Sequence, residues 1–100
     1  MKNTNNDEMI LQLYQAVLSL QTVEECSDFF NDLCTTNELA SLSQRFEVGR
    51  MLLDEKTYVE IMKKTGASTA TISRVNRMIS SGCRGFTLAD SRLSEDNEEK

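Results

Sequence analysis

A glycine between two short helical patterns is the feature that most limits what this chain can fold into. Thr57 predicts a helix start, because its hydroxyl can cap the helix while Glu60, three residues on, completes a capping box. Gly66 suits the left-handed backbone found just past a helix end. A second helix opens near Ser68, and its apolar residues recur at i, i+3 and i+7 on one face: Ile72, Val75 and Ile79. Residues 57–79 therefore predict two short helices joined by a tight turn.

The outer face of the second helix is small, polar and basic, a pattern typical of the DNA-binding helix-turn-helix. Short side chains allow close approach, hydroxyl groups can bond base edges, and cations can bind phosphates. The candidates for base edges are Ser68, Thr69, Ala70 and Ser73, and those for phosphates are Lys63, Lys64, Arg74 and Arg77. Two short helices with a glycine between them also occur in all-α proteins that do not bind DNA.

The distribution of formal charge favours the DNA-binding interpretation. Residues 57–79 carry a net +3, whereas residues 1–56 carry −6 and residues 80–100 carry −2. A basic island on an acidic chain is expected where one face binds an anion. The net charge of −5 argues against indiscriminate binding to nucleic acid but leaves room for a specific site of limited size.

The helix that opens at Ser68 lacks the acidic residue that the other predicted helix starts have. Threonine followed three residues later by an acid occurs at Thr4–Asp7, Thr22–Glu25, Thr35–Glu38, Thr57–Glu60 and Thr87–Asp90, but Ser68 is followed by Thr71. An acid at that place would neutralise the helix dipole and repel phosphate. Its absence leaves the amino end of this helix open to an anion.

Length and composition predict one all-α domain over residues 1–93. The chain has 100 residues, 39% of them apolar, with no Pro or Trp. Besides the helix-turn-helix at 57–79, the apolar periodicity predicts helices at 7–20, 23–34, 35–53 and 86–93. Residues 94–100 are charged and contain no apolar side chain, which predicts an acidic, disordered tail.

Several classes of function are disfavoured by what the sequence lacks. There is no His, no glycine-rich phosphate loop and no cluster of Cys or carboxylates at catalytic spacing, so we expect neither an enzyme nor a cofactor or metal site. Cys26, Cys34 and Cys83 are interpreted as buried, reduced thiols. No apolar run is long enough to span a bilayer, and the start does not resemble a signal peptide, so a cytoplasmic protein is expected.

The first predicted helix is apolar on more than one face. Ile10, Leu13, Tyr14 and Val17 form one stripe, and Leu11 and Leu18 lie off it. Such a helix is either buried deeply in its own chain or packed against a second copy. A chain of this length offers little interior, which favours the second copy. The next two helices also have predicted core faces: Val23, Cys26, Phe29, Phe30 and Leu33, then Leu39, Leu42, Phe46 and Leu53.

The segments LCTTNELASLSQRFEVGRMLL and MKKTGASTATISR, in this order, resemble the Trp-repressor superfamily, in particular its YerC/YecD-type, Trp-repressor-related branch. The stretch GFTLADSRL near the end is similar to that branch too, and the resemblance covers about residues 9–93. It implies an all-α, six-helix, intertwined homodimer whose two helix-turn-helix units meet successive major grooves. It also implies a DNA-binding transcriptional regulator, most simply a repressor.

The resemblance also implies a candidate effector pocket. In the Trp repressor an indole ring lies between two arginines with threonines nearby, and the matching residues here are Thr35, Arg45, Thr71 and Arg74. Two positions depart from the pattern, because Val75 replaces a glycine and Met78 replaces a serine. Val75 is expected to fill the hole that the ligand fills in the repressor, and overpacking of this kind typically costs about 1–3 kcal/mol. We therefore expect no tryptophan binding, although Arg45 and Arg74 could hold another small carboxylate or simply form ion pairs.

Two further departures lie in the helix-turn-helix itself. Met62 stands where such units usually have Ala at the helix crossing, and Thr65 stands where a hydrophobic residue is common. Met62 predicts a looser crossing than usual, and Thr65 is a further departure from the usual pattern. The competing hypothesis is accordingly a helical protein-interaction or effector-sensing dimer that has lost operator binding. The basic island distinguishes the two, because a surface that binds only a protein partner does not need it.

Overall fold

The structure, a computed structural model, describes the backbone of residues 4–99 and the side chains of residues 5–96. Within that range it contains six α-helices and no strand: α1 Thr4–Ser19, α2 Val23–Leu33, α3 Thr36–Leu53, α4 Tyr58–Thr65, α5 Thr69–Ser80 and α6 Arg84–Glu99. The expected all-α class is confirmed. The chain divides into two compact units, one ending at Leu39 and the other beginning at Ala40.

Threonine caps begin three of the helices as the sequence predicts. At Thr57 the hydroxyl accepts from the backbone N–H of Glu60 at 3.1 Å, and the Glu60 carboxylate accepts from the backbone N–H of Thr57 at 2.8 Å. Thr35 and Glu38 make the same reciprocal pair at 3.0 and 2.8 Å. Thr22 caps α2 through its side chain. The predicted cap at residue 4 lies outside the described side chains.

The prediction for the last helix was wrong at both ends. Thr87 is not a cap but lies inside α6, where its hydroxyl donates to the carbonyl of Cys83 at 3.1 Å. Gly82, with a φ of 96°, interrupts the helical backbone before α6 instead. Helix α6 begins two residues later and includes Gly85. The helix also continues past Leu93 to Glu99, so residues 94–99 of the predicted disordered tail are helical, and Lys100 lies outside the described residues. No Gly or Pro follows Leu93 to stop it, and glutamates are good helix formers.

The buried core of the second unit joins α3, α4 and α5. Val48 of α3, Ile61 of α4 and Ile72 of α5 are fully buried, and Ala67 and Val75 nearly so. The partly buried side chains packed around them are Met51, Leu52, Tyr58 and Ile79. Fully burying a Val or Ile side chain stabilises a fold by roughly 1.5–3 kcal/mol, so these contacts hold the two short helices on α3.

Helix α6 packs on α3 through a glycine, two aromatic rings and an ion pair. The rings of Phe46 and Phe86 have centroids 5.2 Å apart. The Phe86 ring lies so close to Gly49 that a Cβ atom at Gly49 would overlap it. One turn along, Arg50 Nε donates to Asp90 Oδ1 at 2.6 Å, with both side chains about three-quarters covered. These contacts give α6 a fixed place on α3.

The first unit buries none of its described side chains. In α1, Tyr14 is 60% exposed and Leu18 is 84% exposed. The helices of the first unit therefore do not bury α1 between them. The predicted core face of α2 is also incomplete, because Val23 and Leu33 are exposed while Cys26, Phe29 and Phe30 are partly buried.

The predicted core residues of α3 and the predicted buried cysteines agree only in part with the structure. In α3, Leu42 is exposed rather than buried. Val48, which was not among the predicted core residues, is fully buried. All three cysteines are free and only partly buried. No helix in the described part of the chain is both long and apolar enough to cross a membrane.

Candidate DNA-binding site

The turn between α4 and α5 has the geometry that the sequence predicts. Gly66 lies in the left-handed region at φ 75° and ψ 4°, and its N–H donates to the carbonyl of Met62 at 2.9 Å. Ser68 is the N-cap of α5, because its hydroxyl oxygen accepts from the backbone N–H of Thr71 at 3.1 Å. A side chain at Gly66 would have to adopt a strained backbone, which explains why glycine stands there.

The two residues that depart from the usual helix-turn-helix pattern, Met62 and Thr65, differ in their surroundings. Met62 is 40% exposed, and Ile61 beside it is fully buried in the core. Thr65 uses its hydroxyl inside the turn: it donates to the carbonyl of Ile61 at 2.7 Å and accepts from the N–H of Ala67 at 3.1 Å. A polar residue here therefore closes the turn.

The outer face of α5 is open and carries the predicted DNA-contact residues. Ile72 and Val75 turn into the core, which directs the opposite side of the helix away from it. On or beside that opposite side, Ser73 is partly buried and the exposed residues are Ser68, Thr69, Ala70, Arg74 and Arg77. The first turn of α5 contains no acidic residue, as the sequence indicates. The amino end of α5 thus keeps its partial positive charge uncompensated.

The cations of the helix-turn-helix are available for an anionic partner. Lys63, Lys64, Arg74 and Arg77 are all exposed. Lys64 Nζ lies 3.9 Å from Glu47 Oε2 of α3, a long contact between two solvent-exposed groups that contributes little stability. Among the described residues, no carboxylate lies within ion-pair distance of the other three. Binding a phosphate would therefore break at most one weak ion pair.

The four residues of the candidate effector pocket are spread over the two units. Thr35 belongs to the first unit, where it is exposed and caps α3. Arg45, Thr71 and Arg74 belong to the second unit, and only Thr71 is partly buried. Val75 is 3% exposed and forms part of the core, so the valine occupies interior space as expected.

Two residues of α3 make contacts with the helix-turn-helix that the sequence did not predict. Gln44 donates from Nε2 to the carbonyl of Thr65 at 3.1 Å, and Glu47 makes the long contact with Lys64. A signal for Gln44 was present, because it precedes the buried Val48 by one helical turn and so lies on the same side of α3. Nothing in the spacing indicates which group it would meet.

The exposed basic face held on a buried three-helix core defines the class of protein, an all-α helix-turn-helix protein. Residues 8–93 match the family model described as Trp repressor protein, and the chain belongs to the Trp repressor family. That family is regulatory and DNA-binding rather than enzymatic. The resemblance to this family that the sequence motifs indicate is thereby confirmed.

Individual relatives agree with the family assignment. The chain is 51% identical over 88 residues to the uncharacterized protein YerC of Bacillus subtilis (strain 168), covering 88% of this chain and 85% of YerC. It is similar to a TrpR-like protein from Eubacterium eligens ATCC 27750, with a TM-score of 0.83 at 54% identity over 87% of this chain and 90% of that one. It is also similar to a candidate Trp repressor from Staphylococcus aureus, with a TM-score of 0.81 at 44% identity over 93% and 89% of the two chains.

Proposed function

We propose that two copies of this chain bind a palindromic DNA duplex and act as a transcriptional repressor in the cytoplasm. In this proposal each α5 enters a major groove, and its small polar residues meet base edges: Ser68, Thr69, Ala70 and Ser73. The cations around them bind phosphates: Lys63, Lys64, Arg74 and Arg77. The observation that carries the proposal is the outer face of α5, which is exposed, basic and without an acid in its first turn.

The dimer is supported by the first unit. Its helices bury none of their described side chains, yet they present large apolar residues to solvent: Met9, Ile10, Leu11, Leu13, Tyr14, Val17, Leu18, Val23 and Leu33. Contiguous exposed apolar surface of this kind marks an interface rather than a solvated face. A second copy supplies a partner with the same need, and two-fold symmetry is the commonest arrangement of such assemblies.

Two-fold symmetry fixes the form of the operator. Two recognition helices that enter successive major grooves on one side of a duplex lie about 34–36 Å apart, which is one helical turn. The proposed operator therefore has two inverted half-sites whose centres are about 10–10.5 base pairs apart.

Tryptophan is not the effector in this proposal. Val75 is part of the core, and Met78 stands where the repressor has a small serine. Placing an indole there would require the valine to move out of a packed interior, which costs on the order of 1–3 kcal/mol. Isothermal calorimetry should detect no saturable tryptophan site, and a micromolar site would refute this part of the proposal.

The phosphate contacts are tested by replacing Lys63 and Lys64 together with Ala. Each phosphate contact contributes about 0.9 to the slope of log K against log salt concentration, so the double variant should flatten that slope by up to about 1.8. Its affinity should fall to a similar degree for every duplex, because phosphates carry no sequence information.

The matched control is Arg92→Ala, which removes an exposed cation of α6 outside the proposed face. This variant should leave the salt slope unchanged. If the lysine double variant keeps the wild-type affinity and slope, or if the control changes them as much, these phosphate contacts are assigned wrongly.

A further inference from the structure

A side chain of α3 is hydrogen-bonded to the turn of the helix-turn-helix. Gln44 Nε2 donates to the backbone carbonyl of Thr65 at 3.1 Å, across a separation of 21 residues, and the bond is partly buried. The last carbonyls of a helix have no partner inside that helix, so a donor from outside satisfies a group that would otherwise depend on water. The bond therefore fixes the end of α4 to α3.

The residue that Gln44 holds is the one that closes the turn. The Thr65 hydroxyl bridges the carbonyl of Ile61 and the N–H of Ala67, and Gly66 bonds back to Met62. These bonds are local to α4 and the turn, and they give the turn its shape. The Gln44 bond adds a connection to a different helix, so it sets how the turn is placed on α3.

We propose that Gln44 is a positioning residue, which fixes the angle at which α4 and α5 sit on α3 and so the angle at which α5 is presented to DNA. The inference rests on the proposed function. The core residues Ile61, Ile72 and Val75 are aliphatic, and aliphatic contacts are not directional. A hydrogen bond is directional, and it restricts rotation of the two short helices over that core.

Such an angle matters for specific binding in a dimer. Two recognition helices must reach successive grooves about 34–36 Å apart, and a small rotation of each unit changes that spacing. Phosphate attraction is long-ranged and tolerates such a rotation, whereas base contacts do not. Loss of the Gln44 bond therefore lowers the ratio of specific to non-specific affinity and leaves the salt dependence unchanged.

The test compares Gln44→Met with the wild type on two DNA probes. Methionine has nearly the length of glutamine, carries no charge and cannot donate. The first probe is the duplex that the wild-type protein selects from a random library, and the second is a duplex of unrelated sequence. We expect Gln44→Met to bind the selected duplex roughly tenfold more weakly and the unrelated duplex equally well, with the same salt slope.

Two further variants separate positioning from general loss of stability. Gln44→Lys, whose ammonium can donate to the same carbonyl, should restore the ratio of the two affinities. Gly49→Ala disturbs the contact between α3 and α6 away from the turn, and it should lower the melting temperature without changing the ratio. The inference is overturned if Gln44→Met keeps the wild-type ratio, or if Gly49→Ala lowers it as much at equal stability.

Hydrogen exchange provides a measure that does not depend on DNA. The amide of Ala67 should exchange faster in Gln44→Met, while the amide of the buried Ile72 keeps its wild-type rate. If the wild-type protein selects no duplex at all, the proposed function fails, and the exchange rates then test only whether Gln44 holds the turn on α3. Unchanged exchange at Ala67 would refute it.

Discussion

Replacing Val75 by Ala should destabilise the protein by about 2 kcal/mol. Val75 is 3% exposed, so the substitution removes two buried methyl-sized groups, each contributing about 0.8 kcal/mol through its burial. The cavity left behind adds on the order of 1 kcal/mol if the core does not collapse. Alanine favours the helix over valine by about 0.5 kcal/mol, which offsets part of this loss.

The measurement is the free energy of unfolding from urea titration, with every variant at the same chain concentration because the proposed dimer would add to the stability of the folded chain. The matched control is Val59→Ala, in the neighbouring α4, where the valine is 61% exposed. That substitution should change the free energy by less than about 0.5 kcal/mol. If Val75→Ala costs no more than Val59→Ala, Val75 does not fill the core, and the reason given for excluding tryptophan is lost.

Three other predictions concern the elements that support the site. Glu55 has a φ of 63°, a left-handed conformation that costs a residue with a side chain about 1 kcal/mol. Glu55→Gly should therefore raise the free energy of unfolding, measured by urea titration, by roughly 0.5–1 kcal/mol. A loss of stability would contradict this. Gly49→Ala places a methyl group against the ring of Phe86 and should lower the free energy of unfolding by about 1–3 kcal/mol in the same titration, and an unchanged value would contradict this. The backbone and side-chain hydrogen bonds from Thr57 lower the pKa of Glu60 from its ordinary value of 4.5. The stabilisation by Glu60 is therefore present above pH 4.5 and is lost as the pH falls through the lower folded-state pKa, so Glu60→Gln should weaken the acid dependence of unfolding. An identical acid dependence in the variant would show that the capping box does not contribute.

The helix-turn-helix could be predicted because its determinants are local. Gly66 stands at a left-handed position that penalises every other residue, and the hydroxyls of Thr57 and Ser68 cap the helices that follow them. The spacing of Ile72 and Val75 then determines which side of α5 is buried. Each of these features depends on residues only a few positions apart, so it can be predicted from the sequence alone.

Contacts between distant residues could not be predicted in the same way. The bond from Gln44 to Thr65 and the ion pair of Arg50 with Asp90 join residues 21 and 40 positions apart. Each forms because the packing of the helices brings two polar groups within reach, and neither partner has a distinctive neighbourhood in the sequence. The role of Thr65 was missed for a related reason, because the hydrogen bonds of its hydroxyl to Ile61 and Ala67 are not visible in the sequence.

The last helix shows a different limit. A charged stretch without apolar residues predicts disorder because it cannot bury surface. Residues 94–99 nevertheless continue α6, whose earlier turns are held on α3 by Phe86 and Asp90. Extending an existing helix costs far less than starting one, so a polar segment can follow an anchored helix without contacts of its own.

The most direct test of the central claim is the mass of the complex formed with a selected duplex. Sedimentation or native mass spectrometry should find two chains on one duplex, and the selected sequence should contain inverted half-sites one helical turn apart. A single chain on the duplex, or a failure of the purified protein to select any sequence from a random library, would contradict it.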